Sequence, residues 1–377
     1  MENPFIIRGY GGPDLFCDRE FELETLMQNV RNHVDTTMIS HRRMGKTGLI
    51  LRLFDELKSQ GVDVTPIYVD IYASQNLADL IRMISEAVMR SYPKRTTFGE
   101  KFWEFITSFR PTVSFDPLSG NPKIGFSYRS ESDKEQTLQA IFQFLESRER
   151  RVILAIDEFQ EIRKYPEKST EAMLRTHMQA MRNVNFIFCG SKKHMMVDMF
   201  ANAGNPFYAS TTFMSLSPIS AEAYTGFITR LFEQAGRTIT PEAVRFILDW
   251  TRRHTFYTQS VCHAVFASGC RSVTLRDVER ECGKILDANS DIYLQYRQLL
   301  TPAQWNFLIA VAKENGVTQA TSSRFLEKYS IGAPSSARRL LDSLIEKEMI
   351  ITDVTPDTTS YTLYDVFMMR YLATLDR

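Results

Sequence analysis

The chain has no Cys-x-x-Cys pair, no apolar run of membrane-spanning length and no net charge. Each absence narrows the field. Five cysteines, Cys17, Cys189, Cys262, Cys270 and Cys282, are scattered and odd in number. That pattern lacks a disulfide framework and reads as reduced and intracellular. The N-terminus has no charged segment followed by an apolar one, so the expected location is cytoplasmic, with no membrane partner. Lys and Arg number 45, as do Asp and Glu. This balance argues against a chain-wide basic coat for nucleic acid and leaves room for one local basic face. At 377 residues, 44% of them apolar, the chain is long for one core, and two or three domains are expected.

What is present begins with Ile39-Ser40-His41-Arg42-Arg43-Met44-Gly45-Lys46-Thr47. It follows an apolar strand-like run and opens a helix-like one through Leu49, Ile50, Leu53, Phe54 and Leu57. A tight loop between strand and helix aims several backbone N–H groups at one spot, and the helix N-terminus adds partial positive charge there. Lys46 supplies a full charge, and the Thr47 hydroxyl can ligand Mg2+. A polyphosphate is the ligand that uses all of these together. Ser40 stands where the G-x-x-x-x-G-K-[ST] pattern has its first glycine. A positive φ at that position would cost about 1 kcal/mol.

The rest of the first half alternates strand and helix, which predicts a parallel sheet with crossover helices. Asp18 is the expected N-cap of a first helix, Val64–Asp70 a second strand and Leu77–Met89 a helix. Residues 92–130 break the rhythm with an aromatic helix-like piece and two alternating runs around Pro117-Leu118-Ser119-Gly120-Asn121-Pro122, a hairpin inserted in the core. Val152-Ile153-Leu154-Ala155-Ile156 then reads as a central strand buried on both faces. Asp157 and Glu158 sit at its carboxyl end, where open α/β sheets bind ligands. Asp157 is placed to hold Mg2+ and Glu158 to activate water as general base. Asn185–Cys189 is a further strand, and Ser191 just beyond it is a candidate to sense the γ-phosphate and align that water. The expectation is a loop and an acid pair at two adjacent strand tips.

From Ser220 the pattern is helical, with Thr240-Pro241 starting one helix and Thr274 another that ends near Leu286. Thr301-Pro302-Ala303-Gln304 is a capping box. Helices at Phe325-Leu326 and from Pro334, followed by Ile350–Thr352 and Ser360–Leu363, predict a winged helix. Its third helix presents Ser335, Ser336, Arg338 and Arg339, a set suited to duplex DNA. Asp353 and Asp357 in the wing oppose that reading, and a protein partner or a second copy is the other.

Taken together, these motifs resemble the prokaryotic AAA+/STAND-like ATPases of the archaeal-type ATPase family, particularly versions found in Bacteroidetes. Phe16-Cys17-Asp18-Arg19-Glu20-Phe21-Glu22-Leu23 is similar to the family's entry segment, and Arg42–Thr47 to its arginine-containing phosphate loop. Asp157-Glu158-Phe159-Gln160 resembles its Walker B pattern, Phe188-Cys189-Gly190-Ser191 its sensor strand, and Tyr364-Asp365-Val366-Phe367 lies in the C-terminal module. The resemblance implies an α/β P-loop NTPase core of the ASCE/AAA+ kind over residues 1–218, a helical lid over 219–296 and a winged helix over 297–377. It implies that Arg19, beside the adenine, and Arg42, Arg43, Met44, Gly45, Lys46, Thr47 and Gly48 bind ATP or ADP. Thr47 and Asp157 hold Mg2+, and Lys46, Glu158 and Ser191 carry hydrolysis at low turnover. The family's arginine after Pro206-Phe207-Tyr208 is replaced by Ala209 and Ser210, and its Gly-x-Pro in the lid by residues around His254-Thr255-Phe256. Larger relatives carry a nuclease-like C-terminal extension, and no nuclease activity is expected of this chain. No Asn-Lys-x-Asp segment marks a GTPase. The alternative is a non-catalytic scaffold locked by nucleotide.

Overall fold

The computed structural model describes residues 2–92, 96–109, 111–118, 120, 122–354 and 358–375. The chain forms two compact units, Arg8–Pro218 and Ile219–Arg377, the second including Met1–Ile7.

In the first unit, α1 (Glu20–Arg31) buries Leu26, Met27 and Val30. It begins one residue later than an Asp18 cap would place it. Asp18 and Arg19 both take left-handed φ, 60° and 78°, and Arg19 occupies the cap position without a side-chain bond. Glu20 and Glu22 in the first turn offset the helix dipole instead. Then come β1 (Thr36–Ile39), α2 (Lys46–Ser59), β2 (Val64–Asp70), α3 (Leu77–Ser91), α4 (Thr97–Thr107), β3 (Thr112–Phe115), β4 (Pro122–Gly125), α5 (Glu131–Glu146), β5 (Arg151–Asp157), α6 (Thr170–Gln179), β6 (Val184–Gly190), α7 (Lys193–Ala201) and β7 (Thr212–Ser215).

The main sheet is parallel throughout, in the order β2-β5-β6-β1-β7. The strands carrying the loop and the acid pair are therefore not neighbours. β6, buried at every position, lies between them. An all-buried strand is stable only with a partner on each side and a layer on each face. One face packs Leu26, Leu49, Leu53, Ile153 and Ile187 beneath α1 and α2, and the other packs Leu80, Ile84, Ile141, Leu154 and Phe186 beneath α3 and α5. Because every strand points the same way, the segments leaving β1, β5 and β6 emerge at one edge.

The inserted hairpin forms, with Thr112 opposite Gly125 and Phe115 opposite Pro122. It is fastened rather than loose: Ile124 is buried and its N–H donates to Glu86 Oε1 of α3 at 3.0 Å. Ser119 and Asn121 of the expected turn lie outside the described residues.

The second unit runs through α8 (Ala221–Gln234), β8 (Thr238–Ile239), α9 (Pro241–Trp250), α10 (Thr255–Ala267), β9 (Ser272–Val273), α11 (Leu275–Leu299), α12 (Pro302–Lys313), α13 (Ser323–Tyr329), α14 (Pro334–Glu346), β10 (Ile350–Val354), β11 (Thr359–Leu363) and α15 (Val366–Thr374). Two features depart from the sequence expectation. β8 and β9 make a short parallel pair in a stretch read as all helical. α11 continues past Leu286 to Leu299, because no Gly or Pro follows Leu286 before Pro302. It thus crosses the expected lid boundary at 296. Thr301 and Gln304 make the expected capping box on α12. β10 and β11 pair antiparallel as the wing, while Asp357 lies outside the described residues. α15 packs back on α9 and α11: Phe367 lies 5.5 Å from Trp250 and Tyr371 5.1 Å from Tyr293 by ring centroids. Arg370 donates to the carbonyls of Asp249 and Trp250, satisfying the end of α9. Among the described residues no helix is long and apolar enough to cross a membrane.

Candidate functional site

The segment from Ser40 to Gly45 turns from β1 into α2 at the carboxyl edge of the sheet. Its left-handed residues are Arg43 (φ 61°) and Gly45 (φ 98°), the latter at the N-cap of α2. Gly45 is the glycine the turn requires. Ser40 is not among the positive-φ residues, so the cost feared for a serine there does not arise. Ser40 is buried, and its amide reaches the Gly190 carbonyl at 3.4 Å, tying the loop to β6.

Lys46 is 5% exposed. Its ammonium donates to the carbonyls of Ser40 and His41 at 3.0 and 3.1 Å and to Ser40 Oγ at 3.3 Å. Burial lowers its pKa from the usual lysine value, while Asp157 and Glu158 pull it back up. Met44 is buried beneath the loop, Arg43 is exposed, and Arg42 lies 5.2 Å from the ring centroid of Tyr72. At Gly48 an added Cβ would come within 3.1 Å of the Phe16 ring, so the first turn of α2 is held close to that side chain.

From β5, Asp157 is nearly buried and hydrogen-bonded at both oxygens. Oδ2 accepts from Thr47 Oγ1 at 2.8 Å and from Tyr68 OH at 2.9 Å; Oδ1 accepts from the Glu158 amide at 2.9 Å. Glu158 follows in left-handed backbone, φ 56°, which swings its carboxylate away from the strand line. Its Oε2 accepts from Ser191 Oγ at 2.6 Å and Gln160 Nε2 at 2.5 Å, and Arg42 Nε donates to Ser191 Oγ at 3.3 Å. A bridging network of this kind needs close backbone approach at Gly190. A Cβ there would fall 2.6 Å from Gln160 Oε1 and 2.3 Å from Met196 Cγ.

Lys46, Thr47, Asp157, Glu158, Ser191 and Arg42 are thus brought together from three strands' ends, across a strand that sequence alone did not order. Arg19 is engaged elsewhere: Nη1 donates to Glu22 Oε1 at 2.7 Å and Nη2 to the Ser217 carbonyl at 2.5 Å. Two side chains of the network carried no assigned role in the sequence. Gln160 was visible as the fourth residue of the acid motif. Tyr68 could be found only from the pairing of β2 with β5, which sets Asp70 beside Asp157. Asp70 itself has a raised carboxyl pKa, first from burial, then from the charges of Asp157 and Glu158. Cys189, fully buried, has its thiol pushed well above the usual range by burial, which leaves it unreactive.

On the second unit, Ser335, Ser336, Arg338 and Arg339 are all exposed on α14. Arg338 pairs with Asp342 one turn on, at 3.1 Å.

Comparison with known proteins fits this geometry. A family model described as an ATPase domain predominantly from Archaea matches residues 16–252, and one described as a probable winged helix domain matches residues 291–374. Among solved structures, the Walker-type ATPase PABY2304 of Pyrococcus abyssi is 17% identical with a TM-score of 0.66, over 98% of this chain and 99% of that one. The Aeropyrum pernix ORC2 protein, in ADPNP–ADP complexes, is 13% identical with a TM-score of 0.58, over 98% and 96% of the two chains. The Aeropyrum pernix ORC1 protein, in complex with DNA, is 14% identical with a TM-score of 0.51, over 96% and 93%. At such identities the likeness speaks to the fold. No curated protein matches the chain.

Proposed function

The chain belongs to the ATPase family found predominantly in Archaea, a P-loop domain joined here to a C-terminal winged helix, and on that premise we propose that it binds ATP with Mg2+ and hydrolyses it slowly as an AAA+/STAND-type switch. The observation that carries the proposal is the hydrogen-bonded join between the two halves of the site, Thr47 to Asp157 at 2.8 Å and Ser191 to Glu158 at 2.6 Å.

In this reading the loop amides and the dipole of α2 receive the phosphates. Lys46 exchanges its bonds to the Ser40 and His41 carbonyls for phosphate oxygens, which suit an ammonium better than neutral carbonyls do. Thr47 and Asp157 supply hard oxygen donors, the set Mg2+ takes when its remaining ligands are water and phosphate. When bound, the ion neutralises the phosphate charge. Glu158 takes the proton of the attacking water, and Ser191, which touches both Glu158 and Arg42, orients it. Arg42 reaches the same place from the loop and supplies positive charge near the transferred phosphoryl group. Preorganised charge of this kind is the main source of rate in phosphoryl transfer.

A second reading has its own support. Glu158 Oε2 is already held by two donors, and Ala209 and Ser210 follow Tyr208 where relatives of this type have an arginine. A protein that binds ATP and keeps it would be a nucleotide-locked scaffold. Single-turnover phosphate release, measured beside ATP binding, separates the two. Release at a rate above that of free ATP supports the switch; tight binding with no release supports the lock.

For the winged helix we propose contact with duplex DNA through Ser335, Ser336, Arg338 and Arg339. Their exposure on α14 supports it, and ORC1 of similar fold is described in complex with DNA. Asp353 on the wing and the Arg338–Asp342 pair weaken the local positive field. DNA affinity that falls with added salt, and falls in Arg339→Ala, supports the contact. Salt-independent or absent binding assigns the face to a protein partner or a second copy.

A further inference from the structure

We infer that Tyr68 is a positioning residue for magnesium, its phenol fixing the Asp157 carboxylate so that one oxygen faces Thr47. The inference rests on the reading of Thr47 and Asp157 as the metal's ligands.

Tyr68 belongs to β2, the strand on the far side of β5 from the phosphate loop. Its register partner is Ala155, two residues before Asp157, and its hydroxyl reaches forward to the strand end. Three elements therefore grip one carboxylate: Tyr68 OH from β2 and Thr47 Oγ1 from α2 at Oδ2, and the Glu158 amide at Oδ1. The ring is partly buried against the layer that includes Leu49 and Leu53 of α2, so its direction is set by packing rather than by the hydrogen bond.

The geometry has a chemical use. A hydroxyl that binds a cation through its oxygen lone pair still needs an acceptor for its proton. Asp157 Oδ2 is that acceptor for Thr47, provided the carboxylate does not rotate about its Cβ–Cγ bond. Tyr68 and the Glu158 amide together prevent that rotation, one at each oxygen. Partners that orient a metal-ligating side chain typically account for about 10- to 100-fold in metal affinity.

The test uses the full chain and a fluorescent ADP analogue, titrated from chelator to saturating Mg2+, on wild type, Tyr68→Phe and Asp157→Asn. Phenylalanine keeps the ring and deletes only the donor. The expected result is a Mg2+ midpoint raised about tenfold in Tyr68→Phe, with Asp157→Asn marking full loss of the magnesium effect. An unchanged or lowered midpoint in Tyr68→Phe, with thermal unfolding like wild type, overturns the inference and leaves the site reading standing. Nucleotide binding by the wild type that ignores Mg2+ overturns both.

Discussion

The two ends of the central sheet both tie down polar side chains, and they do so in opposite ways. At the amino end side chains staple backbone. Glu146 accepts from the amides of Arg182 and Asn183 at 3.0 and 2.9 Å, Asn183 Nδ2 donates to the Arg148 carbonyl at 2.6 Å, and Asp35 accepts from the Phe186 amide at 2.8 Å. At the carboxyl end the bonds run mostly between side chains: Thr47 to Asp157, Tyr68 to Asp157, Ser191 to Glu158, Gln160 to Glu158. A bond to an interior amide cannot be given up without unsatisfying the chain. A bond between two side chains at an edge can be traded for one to a ligand. Burial of charge is thus a weak sign of function by itself, and the nature of the partner is the stronger one.

Each prediction presses on that contrast. Glu158→Gln should cut ATP turnover by about 10²- to 10⁴-fold while ATP affinity, read by calorimetry, stays near wild type. Lys46→Ala should lower ATP affinity by at least about 100-fold with the fold intact by circular dichroism. A full loss of folding there would mean that the lysine belongs with the staples. At the opposite end, Asn183→Ala should cost about 1–3 kcal/mol in denaturant unfolding and leave nucleotide affinity unchanged. A change in affinity without loss of stability would erase the distinction between the ends.

A comparable but pH-dependent effect concerns Asp35, whose carboxyl is raised to about 6 by burial, against the lowering bond from the Phe186 amide. Its folded pKa lies above its unfolded value. The stability it contributes is therefore complete below about pH 4 and is lost as pH rises through about 6. Asp35→Asn keeps the acceptor and removes the charge. It should be more stable than wild type at pH 8 by on the order of 2 kcal/mol, with the advantage gone by pH 4. An advantage independent of pH would rule out ionisation as its cause.

Much of the core was legible in the sequence because its signals are local. A strand and short loop ending in Gly45-Lys46-Thr47, and five apolar residues followed by Asp157-Glu158, each lie in one short stretch of chain. Thr301 and Gln304 announce α12 in the same way. What stayed hidden depends on pairing across the chain. That β6 separates β1 from β5, that Tyr68 reaches Asp157, and that Arg42 reaches Ser191 are consequences of strand order, and periodicity does not encode order. Asp18 failed as a cap because the chain turns through two left-handed residues there, a conformation no composition rule requires of Asp-Arg. The length of α11 was underestimated because it has a clear start and no local stop before Thr301-Pro302.

The central claim is that the carboxyl edge holds magnesium-bound ATP. A crystal structure with Mg2+ and a non-hydrolysable ATP analogue tests it most directly. The account predicts Lys46 Nζ moved off the Ser40 and His41 carbonyls and onto phosphate oxygens, with the ion beside Thr47 and Asp157. An analogue bound at saturating concentration with Lys46 still on those carbonyls, or bound away from Asp157, would contradict it.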